Sequence, residues 1–302
     1  MSNIEFHLLG FPIPRELEPF YFLIFLVTYM STMAGNVLII VVVSADNRLH
    51  SPMFFFLTNL SFLEIFYSTT ISPTILGGLL LKPNTLSFAA CMTQFYFFSS
   101  FVITECFLLT VMAYDRYAAI CYPLHYITLM DQHLCLKLAF GSWISSFIIS
   151  AVTNILVCNL CFPGDNTIDH FFCDYEPLLQ TACSDISLVQ TETFVMSFII
   201  TSVPFLLIIV SYVYIIASIL KITSAAGRST AFSTCSSHLI VVVTYFVTLI
   251  ALYVLPTTGQ PINLKKTLSL LYTVATPLVN PIIYTLRNRG IKEALAKRIF
   301  CI

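Results

Sequence analysis

A chain of 302 residues that is 58% hydrophobic and only 10% charged cannot be an ordinary soluble domain, because such domains carry about a quarter charged residues; lipid must solvate most of it. Its formal net charge of −1 and the lack of a basic run exclude nucleic acid as a partner. The first residues are polar and mildly acidic, unlike a cleavable signal, so the first long apolar stretch reads as a membrane span.

Seven apolar stretches reach spanning length, at 20–45, 52–76, 88–121, 134–158, 188–220, 229–255 and 266–287. Only helices and closed barrels satisfy the backbone in hydrocarbon, and these runs lack the two-residue alternation of barrel strands. The expected fold is therefore all-α, a seven-transmembrane helix bundle forming one domain over residues 1–302. An odd number of spans puts the termini on opposite sides. With the N-terminus outside, inner segments hold Arg48, Arg116, Lys137, Lys221, Arg228, Arg287, Arg289, Lys292, Lys297 and Arg298. Outer segments then hold Arg15, Lys82, Lys265 and Lys266. The inward excess favours residues 1–19 as an extracellular N-terminus, 159–187 as a long extracellular loop and 288–302 as a cytoplasmic tail.

Spans two and three each carry a carboxylate at membrane depth, Glu64 and Glu105. An ionised acid there costs a few kcal/mol even on lenient scales, so such groups face the bundle interior and find partners. Two of them close together either share a proton or hold a cation, and Asn36, Asn59 and Asn280 are polar groups able to join them. Sodium between Glu64, Glu105 and Asn280 is the candidate cofactor; a neutral acid hydrogen-bonded for packing alone is the plainer reading. Span three, continued to Pro123, reaches ~45 Å at about 1.5 Å per residue and can touch both faces of a bilayer. Near its far end stands Asp115-Arg116. An arginine that changes partner there makes a two-state switch, while an interfacial anchor is the simpler role.

The loop after span four contains Cys161, Cys173 and Cys183, and Cys91 opens span three on the same side. In an oxidising compartment four cysteines form two disulfides by any of three pairings, and the spacing does not choose among them. Cys106, Cys121, Cys135, Cys158, Cys235 and Cys301 read as reduced thiols. Pro204 in span five and Pro281 in span seven weaken their helices locally, as hinges or static kinks. Span six has no proline before Pro256, so a bend there needs another cause. After span seven, Ile291, Leu295 and Ile299 recur every four residues among basic side chains, which suits a short amphipathic helix on the inner leaflet. Cys301 beyond it is a candidate palmitoylation site.

A set of motifs in fixed order completes the reading. Gly35-Asn36, Leu49-His50-Ser51-Pro52-Met53, Met112-Ala113-Tyr114-Asp115-Arg116-Tyr117 and Pro123-Leu124-His125-Tyr126 resemble the odorant receptors, a family of rhodopsin-like G-protein-coupled receptors. So do Ser211-Tyr212, Phe232-Ser233-Thr234-Cys235-Ser236-Ser237-His238-Leu239 and Asn280-Pro281-Ile282-Ile283-Tyr284, and the resemblance runs over essentially the whole chain. It implies bridges Cys91–Cys173 and Cys161–Cys183. It implies a switch of Asp115, Arg116, Tyr117, Tyr212, His238, Asn280, Pro281 and Tyr284, in which Arg116 rests on Asp115 and is released towards a G protein. It also implies a ligand site in the outer half of the bundle, made by Phe98, Ser99, Val102, Ile103, Met196, Ile200, Phe246, Leu249, Ile250, Tyr253 and Thr273. Residues 98, 99, 102 and 103 share one helical face, as this requires.

By the same resemblance the protein is a multi-pass plasma-membrane receptor rather than an enzyme. Its ligand is a small, neutral, mostly apolar odorant, its partners a stimulatory heterotrimeric G protein that raises cyclic AMP, an arrestin and membrane lipid. Phe98 stands where amine receptors of the wider class carry an aspartate, which argues against a charged amine. Two departures stand out: Glu64 replaces the family's usual Asp, and Asn3-Ile4-Glu5 is not a glycosylation sequon. A receptor for a lipid, peptide or metabolite is the alternative; a transporter would show repeats or broken helices, and none is visible.

Overall fold

The computed structural model describes residues 4–80, 84–163, 165–254, 262–287 and 289–299. Its long helices are α1 (Glu18–Ala45), α2 (Pro52–Leu80), α3 (Phe88–Cys121), α5 (Gln132–Cys158), α7 (Ser187–Leu220) and α8 (Ala225–Leu249). Shorter ones are α4 (Tyr126–Leu129), α6 (Tyr175–Thr181), α9 (Ile262–Leu270), α10 (Thr276–Arg287) and α11 (Arg289–Ile299). A π-turn, Ile250–Val254, extends α8 as span six, and a second, Leu271–Ala275, joins α9 to α10 as span seven. Among the described residues six helices are long and apolar enough to cross a membrane, and the apolar stretch His238–Val254 is a shorter seventh. The bundle is that of a multi-pass membrane protein.

Local chemistry sets the helix starts. Ser87, Asp131 and Ser224 accept hydrogen bonds from the amides of Ala90, Leu134 and Gly227, capping α3, α5 and α8. The outward faces are apolar, the reverse of a soluble protein: Phe198, Leu206, Val213 and Leu220 project from α7, each at least half exposed. Helix α3 is the axis, with 61% of its most apolar window buried against 28% for spans one, four and five. Lipid supplies no hydrophobic drive between helices, so close backbone approach matters. Gly35 illustrates this, since a Cβ there would lie 3.1 Å from the ring of Pro281 in span seven.

Three short strands, which the sequence pattern does not announce, close one end of the bundle. Strand β1 (Glu5–Leu8) lies between β2 (Thr85–Ser87), antiparallel, and β3 (Asp165–Ile168), parallel. Phe6 is fully buried, edge-on to Phe162 and stacked near Phe88. Lys266, also buried, reaches the Gly10 carbonyl at 2.8 Å and Asp169 at 2.5 Å, tying the N-terminal segment and the long loop to span seven. Of the two bridges implied above, Cys91–Cys173 is formed. Cys161 and Cys183 are adjacent but unbonded: the amide and thiol of Cys183 both point at the Cys161 carbonyl, at 2.9 and 3.1 Å. At the other end, α11 packs Ile291 and Ala294 inwards, both buried. Lys82, Pro256 and Cys301 lie outside the described residues.

Candidate functional site

Below the disulfide, spans three to six separate around a cavity of about 100 Å³. Phe95, Phe98, Ser99, Val102, Ile103 and Cys106 of span three form one wall. Met196, Ile200, Leu249 and Tyr253 face them from spans five and six, and Ile149, Ser150 and Thr153 come from span four. Phe98 is held by rings on three sides: Tyr67 stacked at 5.7 Å, Phe172 edge-on at 4.7 Å and Tyr272 at 6.0 Å. Gln94, one turn above, fixes the roof. Its amide donates to Thr70 O and Thr74 Oγ1, and its carbonyl accepts from the Cys173 amide at 2.9 Å.

Eight of the eleven expected ligand residues thus line one cavity: Phe98, Ser99, Val102, Ile103, Met196, Ile200, Leu249 and Tyr253. Three do not. Phe246 is fully buried and stacks on Phe205 at 5.5 Å. Ile250 opens the π-turn, one helical step of about 100° from Leu249, and leaves the cavity face. Thr273 sits inside the second π-turn, donates to Ser269 O at 2.6 Å and borders a small cleft against span one. Conversely, the sequence reading omits span four and the loop residues Asp174 and Tyr175.

Asp174 separates the cavity from a larger vestibule of about 530 Å³ lined also by Asp169, His170, Glu176 and Lys265. It caps α6, accepting from the Tyr175 amide at 2.8 Å, and accepts from the Tyr253 hydroxyl at 3.1 Å. Burial pushes its carboxyl up to about 6, against the pull of those two hydrogen bonds. His170 stacks on Phe171 at 4.4 Å with its Nδ1 unpartnered. Burial, helped by Lys266, lowers its imidazole to about 3 and keeps it neutral.

Deeper in the bundle, Glu64 and Glu105 are fully buried. Asn280 donates to Glu64 Oε1 at 2.5 Å, and Tyr245 and Asn280 flank Glu105. Glu64 Oε2, both Glu105 oxygens and the Ser68 hydroxyl have no hydrogen-bond partner. An all-oxygen set with unmet acceptors suits a hard cation such as sodium, or a shared proton. Among the described residues no group of three His, Cys, Asp or Glu could hold a metal, which disfavours transition-metal chemistry there. Asn36 and Asn59 do not join the pair. Asn36 donates to Thr32 O and to Pro277 O of span seven, while Asn59 accepts from Trp143 of span four at 3.3 Å.

At the end of span three opposite the disulfide, Arg116 donates twice to Asp115, at 2.9 and 2.5 Å. Asp115 is fully buried and also accepts from the Tyr126 hydroxyl of α4 at 2.7 Å. Tyr212 meets His238 Nδ1 at 2.8 Å, linking spans five and six, and the Tyr284 hydroxyl is buried without a partner. Tyr117 turns aside, packing on Tyr122 and Tyr214 at 5.7 and 5.9 Å. Pro281 packs on Gly35.

The fold and these sites define a seven-helix membrane bundle with an apolar interior cavity and a buried ion pair at its far end. Comparison with known proteins narrows the class. The family model described as olfactory receptor matches residues 25–301, so the chain belongs to the olfactory receptor family, a family of receptors and not of enzymes. It is 48% identical over 287 residues to olfactory receptor 10A2 of Homo sapiens, covering 95% of each chain. It is 44% identical to olfactory receptor 6B9 of Mus musculus, over 99% of this chain and 95% of that one. Against human olfactory receptor 6F1 the identity is 47%, covering 97% and 96%.

Proposed function

We propose that the protein is an odorant receptor that binds a small, neutral, mostly apolar organic molecule in the cavity between spans three to six and activates a stimulatory, olfactory-type G protein to raise cyclic AMP. The observation that carries this reading is the cavity itself, walled by Phe, Ile, Leu, Met and Val with a few hydroxyls, under a disulfide-tied loop. In this reading residues 1–302 form one receptor domain in the plasma membrane, with the N-terminus (1–19) and the loop 159–187 outside and the tail 288–302 in the cytoplasm. The excess of Lys and Arg on the tail side supports that orientation, and so does a disulfide at the loop end, which needs an oxidising compartment.

Arg116 is the switch. Bonded to Asp115 it closes the cytoplasmic end; released, it would meet the G protein together with Tyr212 and Tyr284, and later an arrestin. The carboxylate pair below the cavity, Glu64 and Glu105 with Asn280, is placed to respond to ligand through Tyr245, which donates to the Val102 carbonyl of the cavity wall at 2.9 Å. When bound, sodium would supply positive charge to these acids and hold spans two, three and seven together. A cyclic-AMP reporter in transfected cells, challenged with a panel of volatiles, tests the reading. Responses that vanish in Arg116→Ala at equal surface level support it. Silence to every volatile alongside a response to a peptide or lipid would assign the cavity to another ligand class.

A further inference from the structure

We propose that Ser150 is the polar anchor of this cavity and that the preferred odorant carries a carbonyl oxygen (ketone, aldehyde or ester) that accepts its hydroxyl proton. The proposal rests on the reading of the cavity as the odorant site and gives it a chemical class. The other hydroxyl donors of the wall are engaged within the protein or open to water. Ser99 spends its proton on the carbonyls of Phe95 and Tyr96, at 2.8 and 3.1 Å. Thr201 donates to Ser197 O. Thr153 and Thr193 both donate to Glu192, at 3.0 and 3.2 Å, so each turns only oxygen lone pairs towards a ligand. Tyr175 donates to Val189 O at 3.1 Å, and Tyr253 is engaged with Asp174 and Tyr272.

Ser150 is different. It is 1% exposed, lines the cavity, and its hydroxyl has no partner. Neighbouring serines of the same helix show the alternative it forgoes: Ser142 donates to Leu138 O at 2.8 Å and Ser146 to Ser142 O at 2.5 Å. Ser197, the other cavity hydroxyl without a hydrogen bond, is half-buried where the cavity opens to the vestibule, so water competes for it. A buried, unmatched donor in an apolar wall is a specificity device, because a ligand acceptor there replaces nothing. The carboxylate of Asp174 at the opposite, vestibule end offers only acceptors when ionised. A carbonyl, which cannot donate, is therefore directed to Ser150, whereas an alcohol can divide itself between the two poles.

The test uses the full-length receptor in cells with matched sets on one skeleton: acetophenone, its alcohol and ethylbenzene; nonanal, nonanol and nonane; ethyl hexanoate and the corresponding ether. Surface level is read by antibody. The parent should respond most strongly to the carbonyl member. Ser150→Ala should weaken that response by about five- to tenfold in half-maximal concentration and leave the hydrocarbon unchanged. Ser146→Ala, outside the cavity, should match the parent. If Ser150→Ala does not reach the surface, Ser150→Cys, nearly isosteric with a poor donor, should show the same selective loss. Volatile responses indifferent to the carbonyl or to Ser150 overturn this proposal and leave the odorant reading intact. Silence of the parent to every volatile overturns both.

Discussion

Two buried groups beside the vestibule titrate in opposite senses, and replacing either should expose the other. His170 is lowered to about 3 in the folded protein from an ordinary 6.5. As pH falls below 6.5 the unfolded chain takes up a proton that the folded chain refuses, so stability falls. Between pH 7 and pH 5 that loss is about 2 kcal/mol. Asp174 is raised to about 6 from 3.8, so over the same interval the folded chain takes up the extra proton and gains about 1 kcal/mol. The parent should therefore lose little on acidification. Asp174→Asn removes the opposing gain and should unfold at a distinctly lower temperature at pH 5 than at pH 7. His170→Gln should show the reverse, becoming more stable at pH 5. Thermal unfolding of purified, detergent-solubilised receptor at the two pH values, followed with a thiol-reactive dye, reads this directly. An Asp174→Asn variant no more acid-sensitive than the parent would refute the burial argument for both groups.

Other consequences follow from single contacts. Tyr126→Phe removes the hydroxyl that holds Asp115 at 2.7 Å, a bond to a charged group contributing about 1.5–3 kcal/mol, and should raise ligand-free cyclic AMP. Unchanged basal signalling would show that Tyr126 does not bias the switch. Cys173→Ser opens the bridge to Cys91 and should cost about 2–5 kcal/mol, seen as loss of surface receptor in flow cytometry. Glu105→Gln should abolish any stabilisation of the purified receptor by sodium over potassium. A sodium effect that survives in both Glu64→Gln and Glu105→Gln would remove the cation site from the account.

Much of this architecture is legible in the sequence. Span three is expected at 88–121 and observed at Phe88–Cys121, because a polar cap and a Tyr-Pro stop bound a mostly apolar run free of proline and glycine. The tail helix is equally clear, since Ile291 and its neighbours repeat at helical spacing. What escapes has physical causes. The strands have three or four residues each and exist only because Phe6 finds a buried slot supplied by two distant loops. The π-turns leave no mark in composition, and Thr273 sits inside the second of them, away from the cavity, while Ile250 misses it by one helical step from Leu249. Asp174 and Ser150 were hidden for another reason. A loop carboxylate acquires its role only when the disulfide folds it over the bundle, and one serine among several on span four is distinguished by a missing hydrogen bond that no sequence pattern encodes.

The central claim is that the space between Val102, Ser150, Ile200 and Leu249 is where an odorant sits. Electron cryo-microscopy of the receptor bound to a G protein and an active volatile tests it most directly. The account predicts density for the ligand in that cavity, beneath Asp174 and Tyr253, with its polar end at Ser150. Ligand density confined to the vestibule beside Asp169 and Lys265, with the inner cavity collapsed, would contradict it.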